Sequence, residues 1–114
     1  MEAIQAAEDQ SLFRKVNERV WAISSSFGAI EEVKFLCECA RRDCTEEVNM
    51  SLTAYEALRR VPTHFAVSPN VGHVFPEVER IFAKQDGYFV LEMFGEAGVE
   101  ATRLDPSRRS TERI

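Results

Sequence analysis

The sequence predicts an α+β fold, and three features predict it. A helical stripe fills the first quarter of the chain, short β-branched and aromatic runs follow, and a helix-start signal separates two of those runs. The expected architecture is a long N-terminal helix and a short helix packed on a small antiparallel sheet, with cysteines at a hairpin tip.

The first helix is expected over residues 2–24. Phe13, Val16, Val20, Ile23 and Phe27 recur at spacings of 3, 4, 3 and 4, which puts them on one stripe, flanked by Leu12 and Trp21. The stripe is expected to pack on the domain's own sheet. The same spacing is also the seam of a helix pair, so a dimer or partner contact is the alternative. Three serines followed by Gly28 supply the stop.

Residues 33–38 (VKFLCE) read as a strand that runs into the cysteine cluster, and residues 47–52 (EVNMSL) alternate like its return strand. Thr53 and Glu56 form a candidate capping box for a short helix reaching about Arg60, which Pro62 ends. Residues 64–67 (HFAV) read as a third strand, and residues 68–72 as a turn-rich loop delivering His73. Residues 76–84 fit either a helix or a strand. The Asp86-Gly87 turn signal favours a hairpin of roughly 78–84 with 88–94. Apolar content falls after Gly95. The domain is expected over residues 1–104, with residues 105–114 as a disordered tail.

Composition narrows the class. The 114 residues are 45% hydrophobic and 29% charged, ordinary for one globular domain. Fourteen basic against nineteen acidic side chains leave a net charge of −5, which argues against broad phosphate-backbone binding. No apolar run reaches the ~18 residues a membrane helix needs, and the acidic start MEAIQAAEDQ carries no signal-peptide pattern. A cytoplasmic, reducing location is therefore expected. Three cysteines fit a disulfide framework badly there.

Cys37, Cys39 and Cys44 place three sulfurs within eight residues as C-x-C-x4-C. Zinc takes four soft or borderline ligands in a tetrahedron, so this cluster is the candidate site for one structural Zn2+ ion. Free thiols, a redox pair, and another metal or an iron–sulfur cluster are the alternatives. Glu38, Arg41, Arg42 and Asp43 are expected to hold the thiols at a polar surface. His73, delivered by a glycine-preceded loop, is the favoured fourth ligand. His64, a carboxylate (Glu38, Glu77 or Glu79) and water are the alternatives.

The segments FLCECARRDCTEEVNMSLTAYEALRRVPTHFAVSPNVGH and PEVERIFAKQDGYFVLE carry a resemblance over roughly residues 10–105. The chain resembles a group of small uncharacterised bacterial proteins, actinobacterial in type, with an F-x-C-E-C…C…P-G-H pattern. Matching positions here are Phe35, Cys37, Glu38, Cys39, Cys44, Tyr55, Glu56, Phe65, Val67, Pro69, Gly72, His73, Glu79 and Tyr88. In this chain Asn70 and Val71 lengthen the P-G-H loop by two residues. The resemblance implies a zinc site of three cysteines and one histidine and no particular activity.

No phosphate loop, dinucleotide fingerprint, H-E-x-x-H or zinc-deaminase pattern occurs. A closed shell of three cysteines and a histidine is also a poor Lewis acid. The expected function is therefore a non-enzymatic interaction or regulatory module with a protein partner, or a homodimer through the N-terminal helix. Alternatives are a nucleic-acid-associated zinc-knuckle factor, which would need Arg41, Arg42, Arg59 and Arg60 on one surface, and a zinc- or redox-responsive switch.

Overall fold

A computed structural model describes residues 2–28 and 31–105 of the chain. The fold is α+β. Helix α1 spans Ala3–Ser26 and is followed by strands β1 (Val33–Leu36) and β2 (Glu47–Met50), then helix α2 (Leu52–Arg59). Strand β3 (His64–Val67), a single 3-10 turn (Val71–His73), strands β4 (Glu79–Gln85) and β5 (Tyr88–Met93), and helix α3 (Gly95–Leu104) complete it. Two antiparallel sheets form instead of one: the hairpin β1-β2, and a three-stranded sheet in the order β3-β5-β4. No described helix is long and apolar enough to cross a membrane.

Local chemistry explains most boundaries. The Glu2 carboxylate caps α1 by accepting from the amides of Ile4 (3.0 Å) and Gln5 (2.8 Å). Gly28 closes the other end at φ +69°, its amide donating to Ser25 O. The cap of α2 is Ser51, whose Oγ accepts from the Ala54 amide at 3.0 Å. The expected Thr53–Glu56 box is thus corrected by two residues: Thr53 is exposed inside the helix, and Glu56 pairs with Arg60. Because Ser51 must leave the ladder to cap, β2 stops at Met50. Residues 79–85 are strand, paired with β5 across Asp86-Gly87, where Gly87 takes φ +92°. A bulge between Ile81 and Ala83 turns Phe82 outward, onto the His64 ring.

Helix α3 occupies the last ten residues of the expected domain, where apolar content falls and no element was expected. Its buried face is Ala97, Gly98 and Ala101, too small to register as an apolar stripe. A Cβ on Gly98 would meet Met93 O at 2.9 Å, so the helix packs closer to β5 than any larger residue permits. Residues 106–114, most of the expected tail, lie outside the described residues.

The helix α1 stripe overturns an expectation. The buried face of α1 is Ala6, Ala7, Asp9, Gln10, Ser11, Arg14 and Asn17. The apolar stripe faces outward: Leu12 is 53% exposed, Val16 41%, Ile23 57% and Phe27 84%, while Phe13 and Val20 are half-buried. Most of the stripe therefore does not pack on the domain; Val20 and the flanking Trp21 do, against the buried cluster of Phe35, Val48, Met50, Ala66 and Val90. Gln10 and Asn17 are buried because they bond to the segment entering the cysteine cluster, Arg14 bonds Pro62 O, and Asp9 pairs with Arg42.

Three apolar groups fill the interior. Ala6, Ala7, Ala97 and Ala101 of the two long helices pack with Ala40 on Phe65, Val78 and Met93. Tyr55 and Leu58 of α2 pack with Phe35, Val48 and Met50 of the hairpin on Ala66 and Val90. Val67 and Leu91 pack against Cys37 and Cys39. The cysteine cluster thus rests on the buried end of β3 and β5.

Candidate metal centre

The hairpin brings the cysteines to β3. Cys37 extends the β1-β2 ladder by donating its amide to Glu46 O (3.0 Å). The next residue turns to β3, where the Glu38 amide donates to Ala66 O at 2.8 Å. A turn closed from the Cys44 amide to Arg41 O (3.1 Å) folds the third cysteine back over the first two. The loop leaving β3 then passes directly over the sulfurs.

That loop delivers His73. The two additional residues are taken up in the 3-10 turn: Asn70 Oδ1 accepts from the Gly72 amide (2.8 Å) and Asn70 O from the His73 amide (3.0 Å). His73 is consequently buried, and its Nδ1 lies 3.4 Å from Cys39 Sγ, 3.5 Å from Cys37 Sγ and 3.8 Å from Cys44 Sγ. All four donor atoms lie within 4.8 Å of one another. A tetrahedral ion with Zn–S of about 2.3 Å and Zn–N of about 2.0–2.1 Å needs sulfur–nitrogen edges of about 3.6 Å. Among the described residues, the group Cys37, Cys39, Cys44 and His73 is thus placed to hold one metal ion.

The surroundings orient the ligands. His73 Nε2 donates to Glu46 Oε2 at 2.8 Å, which leaves Nδ1 free to bind a cation. The other Glu46 oxygen accepts from Ser68 Oγ (2.7 Å), and the Ser68 amide donates to Cys37 Sγ (3.2 Å). The Ser68 hydroxyl, followed by His73, holds the Glu46 carboxyl below its usual range. Burial opposes the charge on His73, but the Cys39 thiolate and Glu46 outweigh it and raise the imidazole.

The sulfurs behave as a unit. The Cys37 thiol donates to Cys39, and His73 adds to this, so Cys39 is lowered to about 5 despite its burial. Cys37 is raised by that same bond and by burial, and Cys44 is raised by burial. Within the cluster, Cys39 is thus the sulfur whose surroundings favour the thiolate. A bound cation would displace the protons from the other two thiols.

The alternative fourth ligands are elsewhere. His64 bonds Glu92 through Nε2 (3.1 Å) and lies against the tilted ring of Phe82. Glu79 accepts from the Phe75 amide (2.9 Å). Neither these two nor Glu77 belongs to the cluster. The expected polar surface at the thiols is also corrected: Cys37 and Cys39 are buried, and only Cys44 is half-exposed, at a polar depression lined by Arg41, Asp43, Glu46 and His73.

Glu38 departs furthest from expectation. It is fully buried and bonds to groups on other elements rather than joining the sulfurs. Its Oε2 accepts from Tyr55 OH (2.6 Å) and Asn17 Nδ2 (2.9 Å), and Oε1 from the Ala66 amide (2.9 Å). Burial pushes its carboxyl up, while the Arg14 charge and these donors pull it back. Sequence reasoning missed Glu46, Ser68 and Asn17. Only Glu46, two residues after Cys44, carried a positional signal. Compared with known protein families, curated proteins and solved structures, the chain matches none.

Proposed function

We propose that the chain is a small zinc-binding protein whose single Zn2+ is structural, and that it acts through protein contacts in a reducing compartment rather than as an enzyme. One observation carries the reading: His73 Nδ1 stands 3.4–3.8 Å from all three sulfurs, the edge lengths of a tetrahedron around zinc. A donor set of three sulfurs and one nitrogen selects a borderline-soft ion over magnesium or calcium. Four protein ligands leave no open position for a substrate or an activated water, which argues against catalysis.

The outward stripe of Leu12, Val16, Ile23 and Phe27 supports a protein partner or a second copy as the contact. The nucleic-acid reading has less support. Arg42 is paired with Asp9, Arg59 with Glu18 and Arg60 with Glu56, so the basic side chains are largely neutralised. The half-exposed Cys44 favours redox response as a second reading. A peroxide would accept two electrons from Cys44 and a neighbouring thiolate, leave as water, and yield a disulfide that releases zinc. Elemental analysis of protein expressed with ample metal tests the principal reading. About one zinc per chain supports it, and well below half an equivalent removes it.

A further inference from the structure

Besides its apolar contacts, helix α1 makes buried hydrogen bonds to the domain, and those of Gln10 and Asn17 converge on the segment that carries two of the metal ligands. Gln10 Nε2 donates to Glu38 O (2.8 Å). Asn17 Nδ2 donates to both Leu36 O and Glu38 Oε2 (2.9 Å each), and Asn17 Oδ1 accepts from the Leu36 amide (2.8 Å). Both Gln10 and Asn17 are 0% exposed, and the apolar residues buried on the same face are only alanines.

Apolar contacts tolerate sliding, because the hydrophobic effect is non-directional. Hydrogen bonds do not: they weaken steeply beyond about 3.2 Å or below about 120°. The α1 interface therefore depends on the backbone path of residues 36–38. That path is set from the other side, since Cys37 and Cys39 flank Glu38 and their sulfurs face His73. Gln10 Oε1 and Arg14 Nε and Nη2 are already buried without partners, so each further bond lost here adds to a desolvation cost the interface already carries.

We infer that zinc binding is coupled to the docking of α1 through Cys37–Glu38–Cys39. The ion fixes Cys37 and Cys39 and holds Leu36 and Glu38 in register with Asn17 and Gln10. Its loss frees those bonds, and α1 loosens together with its outward apolar stripe. The inference rests on the zinc reading above and adds what the ion regulates: the presentation of the contact helix. Coupling is reciprocal, so α1 must in turn tighten zinc.

The test uses the full chain and zinc alone. Trp21, the only tryptophan, lies on α1 and donates to Leu52 O at 3.2 Å, so its emission reports docking. Stripping zinc is expected to red-shift that emission and to speed amide exchange across residues 10–20 at least tenfold, with the β4-β5 hairpin unchanged. Asn17→Ala, which removes no ligand, is expected to weaken zinc binding about tenfold in chelator competition. Gln10→Met, a gentler change in the same interface, is expected to weaken it in the same direction if Asn17→Ala does not fold. A wild-type chain that binds one zinc but shows identical α1 exchange with and without it overturns the coupling alone. So does a folded Asn17→Ala that binds zinc within about twofold of wild type. A wild-type chain that takes up no zinc overturns the zinc reading, and the coupling falls with it.

Discussion

Replacing His73 by alanine removes the one ligand that the cysteine hairpin cannot supply. Structural zinc sites bind with roughly 10–16 kcal/mol of apparent free energy, so an even share per ligand is about 2.5–4 kcal/mol. At about 1.4 kcal/mol per decade, the low end corresponds to a weakening of roughly a hundredfold. The low end applies because a water can take the vacated position. Glu46 also keeps the Ser68 hydroxyl as a partner, which limits secondary damage. Competition against a chromogenic zinc chelator measures the change. His64→Ala is the control, because His64 sits with Glu92 and Phe82, outside the ligand cluster, and zinc affinity should stay within about twofold. If His64→Ala costs more affinity than His73→Ala, the ligand assignment is wrong. If neither costs any, the fourth ligand is a carboxylate or water and the site is not the closed one described.

Three further outcomes are expected. Cys39→Ser should strip the ion and lower Tm by more than about 10 °C without complete unfolding, because the apolar clusters remain. A thermal melt at unchanged Tm would count against a structural role. Tyr55→Phe keeps the ring stacked on Phe35 and deletes only the 2.6 Å bond to Glu38. It should cost about 2 kcal/mol in urea unfolding, and a loss under ~0.5 kcal/mol would mean that bond contributes little. Glu79 is pushed from 4.5 to about 7 by burial. Its folded-state value lies above the unfolded one, so its contribution is fully present below pH 4.5 and is lost as pH rises through 7. Glu79→Gln should remove up to about 3 kcal/mol of that pH dependence between about pH 5 and 8, and parallel stability curves for the two proteins would refute it.

The parts of the molecule that were legible in the sequence are those with local chemical signatures. Cys37, Cys39 and Cys44 declare themselves by spacing, and the Asp86-Gly87 turn and the Gly28 stop by backbone requirement. His73 could be nominated because a loop histidine and a loop of three thiols are complementary chemistries. What stayed hidden depends on pairings between distant segments. The buried face of α1 reads as a solvent face, because Gln10, Arg14 and Asn17 are acceptable inside only through bonds to residues 36–38 and 62. Glu38 looks like a surface acid until Asn17, Tyr55 and the Ala66 amide, from three separate elements, are seen to meet it. Helix α3 escapes because its contact surface is Ala97, Gly98 and Ala101, where close approach replaces side-chain size.

X-ray absorption at the zinc edge of the purified protein addresses the central claim most directly. It reads the identity and distance of the ligands, whatever the ion's role. Three sulfurs at about 2.3 Å and one nitrogen at about 2.0–2.1 Å are expected, with imidazole scattering beyond the nitrogen. A shell of two or fewer sulfurs completed by oxygen would contradict the claim.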